Sequence, residues 1–250
     1  MARAKRGNEL EILHKINNMN DEEFEQYRTE NKEHDDRIAQ RTVRNIISAV
    51  IKRIIDILAG LVGTILLIPI TILVWLIKTI NREDGPLFYD QLRIGQDGEI
   101  FKMYKFRTMV IGADEILDAY LRENPSEAEE YAKNKKLIND PRITKTGRII
   151  RRVSIDEWPQ FVAILFGKMS LVGPRPYMPK EKDDMGEYYE YIIKVKPGLT
   201  GPWQIAGRNN LTFEDRLKLD EEYASRCGNR RDIIILFKTF KKVFSKEGAI

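Results

Sequence analysis

Ile54-Ile-Asp56-Ile-Leu-Ala-Gly60-Leu-Val-Gly63-Thr64-Ile-Leu-Leu-Ile-Pro69-Ile-Thr71-Ile-Leu-Val-Trp-Leu-Ile-Lys78-Thr-Ile80 decides the fold of this chain. The stretch is almost wholly apolar, and about 20 apolar residues in a helix reach across a bilayer core. It is too long and too continuous for a buried helix of a soluble protein. Arg37, Arg41, Arg44, Lys52 and Arg53 stand before it, and Lys78, Arg82 and Arg93 after it. Basic flanks stay on the cytoplasmic side, so a straight span would carry one cluster across. Pro69, near the midpoint, bends a helix because it lacks an N–H and its ring clashes with the preceding turn. The expectation is a re-entrant helix over residues 45–82 that dips into one leaflet and returns, with a simple kinked span as the alternative.

Outward from that helix, residues 1–44 read as a polar N-terminal extension and residues 83–250 as a domain expected to face the cytoplasm. The extension carries acidic clusters and a sparse apolar pattern (Leu10, Leu13, Ile16), and reads as a solvated tail more readily than as a docking helix. No signal-peptide layout is present, because no apolar run follows Arg3, Lys5 and Arg6 before residue 46. The domain reads as mainly α with short β elements, an α+β class. Leu87–Tyr89 and Ile100–Phe106 look like strands, the second entered by a turn at Gly95-Gln96-Asp97-Gly98. Residues 112–138 look like a helix or helix pair interrupted at Pro125. Residues 229–244 form a basic amphipathic helix, suited equally to an anionic membrane surface and to a core with a solvated lysine face.

Composition removes whole classes of chemistry. The 250 residues carry a formal charge of only +4, too small an excess to argue for nucleic acid as a partner. Cys227 is the single cysteine, so no intramolecular disulfide can form. The two histidines, His14 and His34, both lie in the extension. A Ser-His-Asp site or a His-ligated zinc is therefore excluded from the main body. What remains is carboxylates, Arg, Lys, hydroxyls and a hard cation such as Mg²⁺.

Asp156-Glu157 is the candidate reactive pair, on a helix expected to begin with Ser154 as N-cap and Glu157 closing a capping box. An ionised Asp can attack phosphorus, and its neighbour can act as base or help hold Mg²⁺. Taken alone, such a pair only caps a helix. Its surroundings shift the balance toward phosphate chemistry: Arg148, Arg151 and Arg152 lie upstream, and Arg175 is fixed between two prolines. Lys105 and Arg107 on the second strand and Arg142 in the turn Asp140-Pro141-Arg142 add further donors. The glycine-rich segment Lys196–Arg208, with Trp203 and Arg208, reads as a shaped loop that could cover a sugar or base, or as a structural turn. No Walker or dinucleotide glycine loop occurs.

In this order, Lys52-Arg53-Ile-Ile-Asp56, Pro69, Tyr104-Lys105-Phe106-Arg107-Thr108-Met109, Asp140-Pro141-Arg142-Ile143-Thr144, Ser154-Ile-Asp156-Glu157-Trp-Pro159-Gln160, Met169–Pro176 and Lys196–Gly201 resemble the bacterial sugar transferases, the monotopic phosphoglycosyl transferases. The resemblance covers roughly residues 45–245. It implies transfer of a sugar 1-phosphate from a UDP-sugar to polyprenyl (undecaprenyl) phosphate, with Mg²⁺, at the inner membrane of a bacterium. It makes Asp156 the nucleophile that displaces UMP and Glu157 its partner, both near the metal. It matches the helix broken at Pro69 to a monotopic anchor, although Ile68 stands where many relatives have Ser, so Thr64 or Thr71 would hold the kink. A homodimer fits, and glucose or galactose is the favoured sugar. A non-enzymatic membrane-anchored binding protein and a phosphohydrolase using the same Asp are the alternatives.

Overall fold

The computed structural model describes the backbone of residues 21–134, 137, 140–207 and 211–245; side chains at 21–45, 130, 132–134 and 242–245 lie outside the description. The chain divides into two units, residues 1–50 and 51–250. In the first, the backbone is helical from residue 21, including the polar stretch 21–36. Leu10, Leu13 and Ile16 lie outside the described residues.

Helix α1 (Asp21–Ile80) carries the apolar run. Ile46–Ile80 is long and apolar enough to cross a membrane, with a mean hydropathy of 2.7, and only 17% of its apolar window is buried. The buried and half-buried positions recur every three or four residues: Lys52 and Arg53, then Asp56, Gly60, Gly63, Leu67, Ile70, Val74 and Lys78. That is one stripe of a 3.6-residue helix, and it docks lengthwise on the rest of the second unit. The other faces, including Leu58, Val62, Ile65, Ile68, Ile72 and Trp75, point outward. Water does not tolerate so long an apolar face, and α1 therefore associates with membrane.

Pro69 sits within α1 without ending it. Beside it the Thr71 hydroxyl donates to the Leu67 carbonyl at 2.7 Å, whereas the Thr64 hydroxyl is buried without a partner. Of the two threonines expected to support the bend, Thr71 is the one that engages the helix backbone. The helix stops in a Schellman pattern: Glu83 N–H donates to Lys78 O, and Arg82 N–H to Thr79 O, with Arg82 left-handed at φ 54°.

Strands β1 (Phe88–Ile94) and β2 (Ile100–Phe106) pair antiparallel, Phe88 opposite Phe106 and Ile94 opposite Ile100. The expected turn joins them, with Asp97 and Gly98 both at positive φ. Helices α2 (Ala113–Glu123) and α3 (Pro125–Asn134) follow, and Pro125 takes the first helical position, where its missing N–H costs nothing. Helix α4 (Lys145–Arg152) is capped by Thr144, whose hydroxyl accepts from Gly147 N–H at 2.9 Å. After a 3₁₀ turn (Ile155–Glu157) comes the short helix α5 (Gln160–Leu165).

Strands β3 (Ser170–Val172) and β4 (Gly198–Thr200), which the sequence reading missed, pair parallel. Glycine is required where their backbones meet: a Cβ on Gly173 would lie 2.3 Å from Lys196 O, and one on Gly198 2.1 Å from Gly173 N. Between them run the short helices α6 (Lys182–Met185) and α7 (Tyr189–Ile192). Helices α8 (Pro202–Ala206), α9 (Phe213–Ser225) and α10 (Asn229–Ser245) complete the described chain. Helix α10 turns one face to the core, burying Asp232 and Ile235, and leaves Ile233, Phe237 and Phe240 exposed on another. The mainly α architecture with short strands is as expected from the sequence.

The docking stripe of α1 has a polar end and a small-residue middle. Lys52 donates to Asp232 at 2.6 Å and to Val172 O at 2.9 Å. Arg53 donates to Ile164 O and Leu165 O, both at 2.8 Å, closing the end of α5. Asp56, buried, accepts from the Ser170 hydroxyl (3.0 Å) and Leu171 N–H (2.8 Å). Further on, Gly60 and Gly63 let α5 approach, since a Cβ on Gly63 would lie 2.2 Å from the Phe161 ring. Replacing Gly63 with Val should destabilise the fold by about 1–3 kcal/mol through overpacking. Thermal unfolding in detergent, compared with Val62→Ala on the outward face, measures it; equal melting temperatures would contradict the docking.

Candidate active site

Asp156 and Glu157 lie in the 3₁₀ turn between α4 and α5, and the expected capping box is absent. Ser154 adopts a left-handed conformation (φ 56°, ψ 23°) and makes no side-chain cap. An α-helical N-cap needs extended φ/ψ, so the chain instead reverses sharply at Ser154. Three-residue periodicity aligns residues three apart, and Ile155 and Trp158 both pack on the buried cluster of Val74, Phe106 and Ile150, which Leu67 and Ile70 of α1 also cover. The Trp158 indole N–H also donates to Gly63 O at 2.9 Å. The carboxylate turn is thus pinned directly to the membrane helix.

Around the carboxylates stand cations from separate elements. Lys105 Nζ on β2 is 2.8 Å from Glu157 Oε1. Arg151, on the last turn of α4, is aimed by a 2.9 Å hydrogen bond from its Nε to the Thr108 hydroxyl. Burial, followed by the charge of Glu157, raises Asp156 to a pKa of about 6, against the pull of Lys105 and Arg151. A carboxyl with that pKa is half ionised at about pH 6 and mostly ionised at neutral pH, where a nucleophile or metal ligand is needed.

The remaining predicted residues divide. Arg142 is buried and committed to Asp140, through Nε–Oδ1 at 2.8 Å and Nη2–Oδ2 at 2.7 Å. Burial pushes the Asp140 carboxyl up, but the hydrogen bonds and charge of Arg142 outweigh it and hold the carboxyl below its usual range. Arg107 stacks over the Tyr89 ring at 5.3 Å, and its Nε is buried without a partner. Arg148 and Arg152 are exposed on α4. Arg175 sits over the Trp203 and Tyr177 rings, 3.8 Å from Glu181. Trp203, which looked exposed in the sequence, has its indole N–H buried. Arg208 lies outside the described residues.

Lys52, Arg53 and Asp56 hold α1 to the domain as described above, and Pro69 lies within that helix.

Arg93, read from the sequence only as a charge flanking the apolar run, belongs to the domain interior instead. It is buried, donates to Pro176 O at 2.7 Å, and lies within electrostatic reach of Arg175, Glu181 and Glu157. Burial lowers its pKa to about 10, so it keeps its charge at neutral pH. A signal was available: in an antiparallel pair opposite residues share a face, and Arg93 stands opposite the buried Phe101.

For a metal, Asp156 and Glu157 offer carboxylate oxygens only. No group of three His, Cys, Asp or Glu residues gathers among the described residues. The set fits a hard cation that completes its shell with water and phosphate oxygens, as Mg²⁺ does.

Two carboxylates beside Lys105 and Arg151, on a turn bonded to the long apolar helix, place this cluster in a membrane-associated protein. The chain belongs to the bacterial sugar transferase family, whose sequence model matches residues 47–246. It is similar to the undecaprenyl-phosphate galactose phosphotransferase of Salmonella typhimurium, 41% identical over 202 residues, 81% of this chain and 42% of that protein. It also resembles exopolysaccharide production protein ExoY of Rhizobium meliloti, 38% identical over 203 residues, 81% of this chain and 89% of that protein. A third relative is the UDP-glucose:undecaprenyl-phosphate glucose-1-phosphate transferase of Klebsiella pneumoniae, 35% identical over 214 residues, 82% of this chain and 42% of that protein. The chain thus spans less than half the length of several relatives it matches, and most of ExoY.

The Asp156 environment predicts its titration. With ¹³C-labelled aspartate, the Asp156 carboxyl should titrate near pH 6. Glu157→Gln removes a like charge and should move that midpoint down; Lys105→Met removes an attracting one and should move it up. A wild-type midpoint at the ordinary value of about 4 would contradict the described burial.

Proposed function

We propose that the chain is a membrane-embedded phosphoglycosyl transferase that moves a hexose 1-phosphate from a UDP-sugar to polyprenyl phosphate, releasing UMP. The observation that carries this is the Asp156-Glu157 turn, flanked by Lys105 and Arg151 and packed against α1. The names of the relatives supply the substrate class: an undecaprenyl phosphate acceptor in two of them and UDP-glucose as donor in one.

Asp156 lies beside a helix whose outer faces meet lipid, where a soluble donor and a lipid phosphate can both reach one carboxylate. An Asp156 oxygen attacks the phosphorus that carries the sugar. The bond to the UMP oxygen breaks, and UMP leaves with the electron pair, giving an aspartyl phosphosugar. An oxygen of polyprenyl phosphate then attacks the same phosphorus, and the aspartyl oxygen–phosphorus bond breaks to restore the carboxylate. Glu157, tethered by Lys105, assists attack by the lipid phosphate. Lys105, Arg151 and Arg175 neutralise charge on the phosphoryl oxygens, the main demand of phosphoryl transfer. Mg²⁺ held by Asp156 and Glu157 would add charge neutralisation on the diphosphate.

The test is UMP release by the purified protein in detergent with undecaprenyl phosphate, Mg²⁺ and a panel of UDP-sugars. Asp156→Asn keeps the shape of the side chain and removes the nucleophilic charge. It should lower release by at least about 1,000-fold, and wild-type release should climb as pH rises through about 6. Full release by Asp156→Asn would refute the assignment. Sugar-phosphate label trapped on Asp156 without acceptor separates the transferase from a binding protein, and product analysis separates it from a phosphohydrolase.

The same reading puts both ends of the apolar run Ile46–Ile80 on the cytoplasmic side, because both of its flanks are basic. In a Cys227→Ser background, Ala49→Cys and Asp84→Cys should react with a membrane-impermeant thiol reagent from the same side. Labelling from opposite sides would establish a span.

A further inference from the structure

Behind the Asp156 turn, the loop Pro174-Arg175-Pro176 is held by a residue outside every motif discussed so far. Asp220, on α9, has no exposed surface. One of its oxygens, Oδ2, accepts the Arg175 backbone N–H and the Tyr177 hydroxyl, both at 2.9 Å. The Arg175 guanidinium lies 5.6 Å from the Trp203 ring centre, and the Arg216 guanidinium lies 5.7 Å from the same ring. Arg216 is itself tied to the Leu211 carbonyl at 2.9 Å.

Two guanidinium groups over one indole repel each other, and burial raises the cost. The electron-rich ring face and the nearby carboxylates of Asp220 and Glu181 oppose that repulsion. Asp220 Oδ1 is an acceptor buried without a partner, and four donors share that condition: Trp203 Nε1 and the Nε atoms of Arg175, Arg216 and Arg93. Such unpaired donors are costly in a finished core, and their clustering marks a place prepared for an oxyanion. Arginine forks suit that ligand because they bind two oxygens at once.

We propose that Asp220 is a positioning residue, which with Trp203 and Arg216 sets the Pro174-Arg175-Pro176 loop so that Arg175 receives the diphosphate of the donor. This rests on the donor being a nucleoside diphosphate sugar, as argued above. Asp220 itself touches neither substrate nor the reacting atoms; it acts through the Arg175 backbone.

The test is a double-mutant cycle on the full chain in detergent with Mg²⁺, reading UDP affinity by calorimetry and the donor and acceptor KM of UMP release. Asp220→Leu should weaken UDP binding and raise donor KM by about tenfold, leaving acceptor KM within about twofold. Asp220→Asn keeps an oxygen able to accept both hydrogen bonds and should stay within about threefold of wild type. In an Arg175→Met background, Asp220→Leu should add less than about twofold. Arg216→Met, which keeps the alkyl stem over Trp203, gives a second cycle with the same expectation should Asp220→Leu fail to fold. Additive effects, equal rises in donor and acceptor KM, or an Asn variant no better than Leu would overturn the proposal. Wild-type protein that binds UDP but releases no UMP from any UDP-sugar would sink the transferase reading alone, and the affinity cycle would still decide the role of Asp220. Wild-type protein that does not bind UDP would overturn both.

Discussion

The contact between the inward stripe of α1 and the domain beside it is what the rest of the second unit depends on. A helix with lipid-facing sides has no hydrophobic reason to prefer protein over lipid along its length, because lipid tails are as apolar as Leu. Here the preference comes from polar groups at one end and close backbone approach in the middle. Lys52, Arg53 and Asp56 each satisfy specific partners in α10, α5 and β3. Removing one partner would leave a charge buried without compensation, which is strongly unfavourable. Gly60 and Gly63 then admit α5, and α5 begins three residues after Glu157. The location of the carboxylate turn is therefore inherited from the membrane helix.

Charge in the site is layered. Lys105 and Arg151 act directly on Asp156 and Glu157, while Arg93, Arg175 and Arg216 form a second group balanced by Glu181 and Asp220. Burial lifts the Asp220 carboxyl to about 7 despite its hydrogen bonds from Arg175 and Tyr177. By contrast the Asp140–Arg142 pair is self-contained, with both fork nitrogens and the Arg142 backbone N–H turned onto one carboxylate. That pair shapes the loop carrying Thr144, the cap of α4, which in turn presents Arg151.

Features written as local patterns were legible in the sequence. The apolar run, the Gly95–Gly98 turn, the break at Pro125 and the C-terminal amphipathic helix each follow from spacing over a few residues. The short parallel strands β3 and β4 escaped because three residues carry no periodic signal, and their glycines answer to backbone contacts far along the chain. Ser154 misled for the opposite reason: Ser-x-x-Glu is a genuine capping pattern, but packing of Ile155 and Trp158 against α1 forces a tighter turn. Lys52 and Arg53 read as flanking charges and Asp56 as an interruption of the apolar run, while their hydrogen-bond partners lie over a hundred residues away. Asp220 shares an inward face with Leu217 and Tyr223 on α9, a placement visible only once that face is known to be buried.

The bond between Lys52 and Asp232 joins residues 180 positions apart. Synthesis proceeds from the N-terminus at roughly 5–20 residues per second, so about ten seconds or more separate the two residues. During that interval α1 meets the bilayer with its polar end lacking its later partners. The β3 partners of Asp56 and the Val172 carbonyl that also receives Lys52 emerge about 60 residues before Asp232. A chain stalled before Asp232 would therefore have every partner of this end of α1 except the carboxylate of α10.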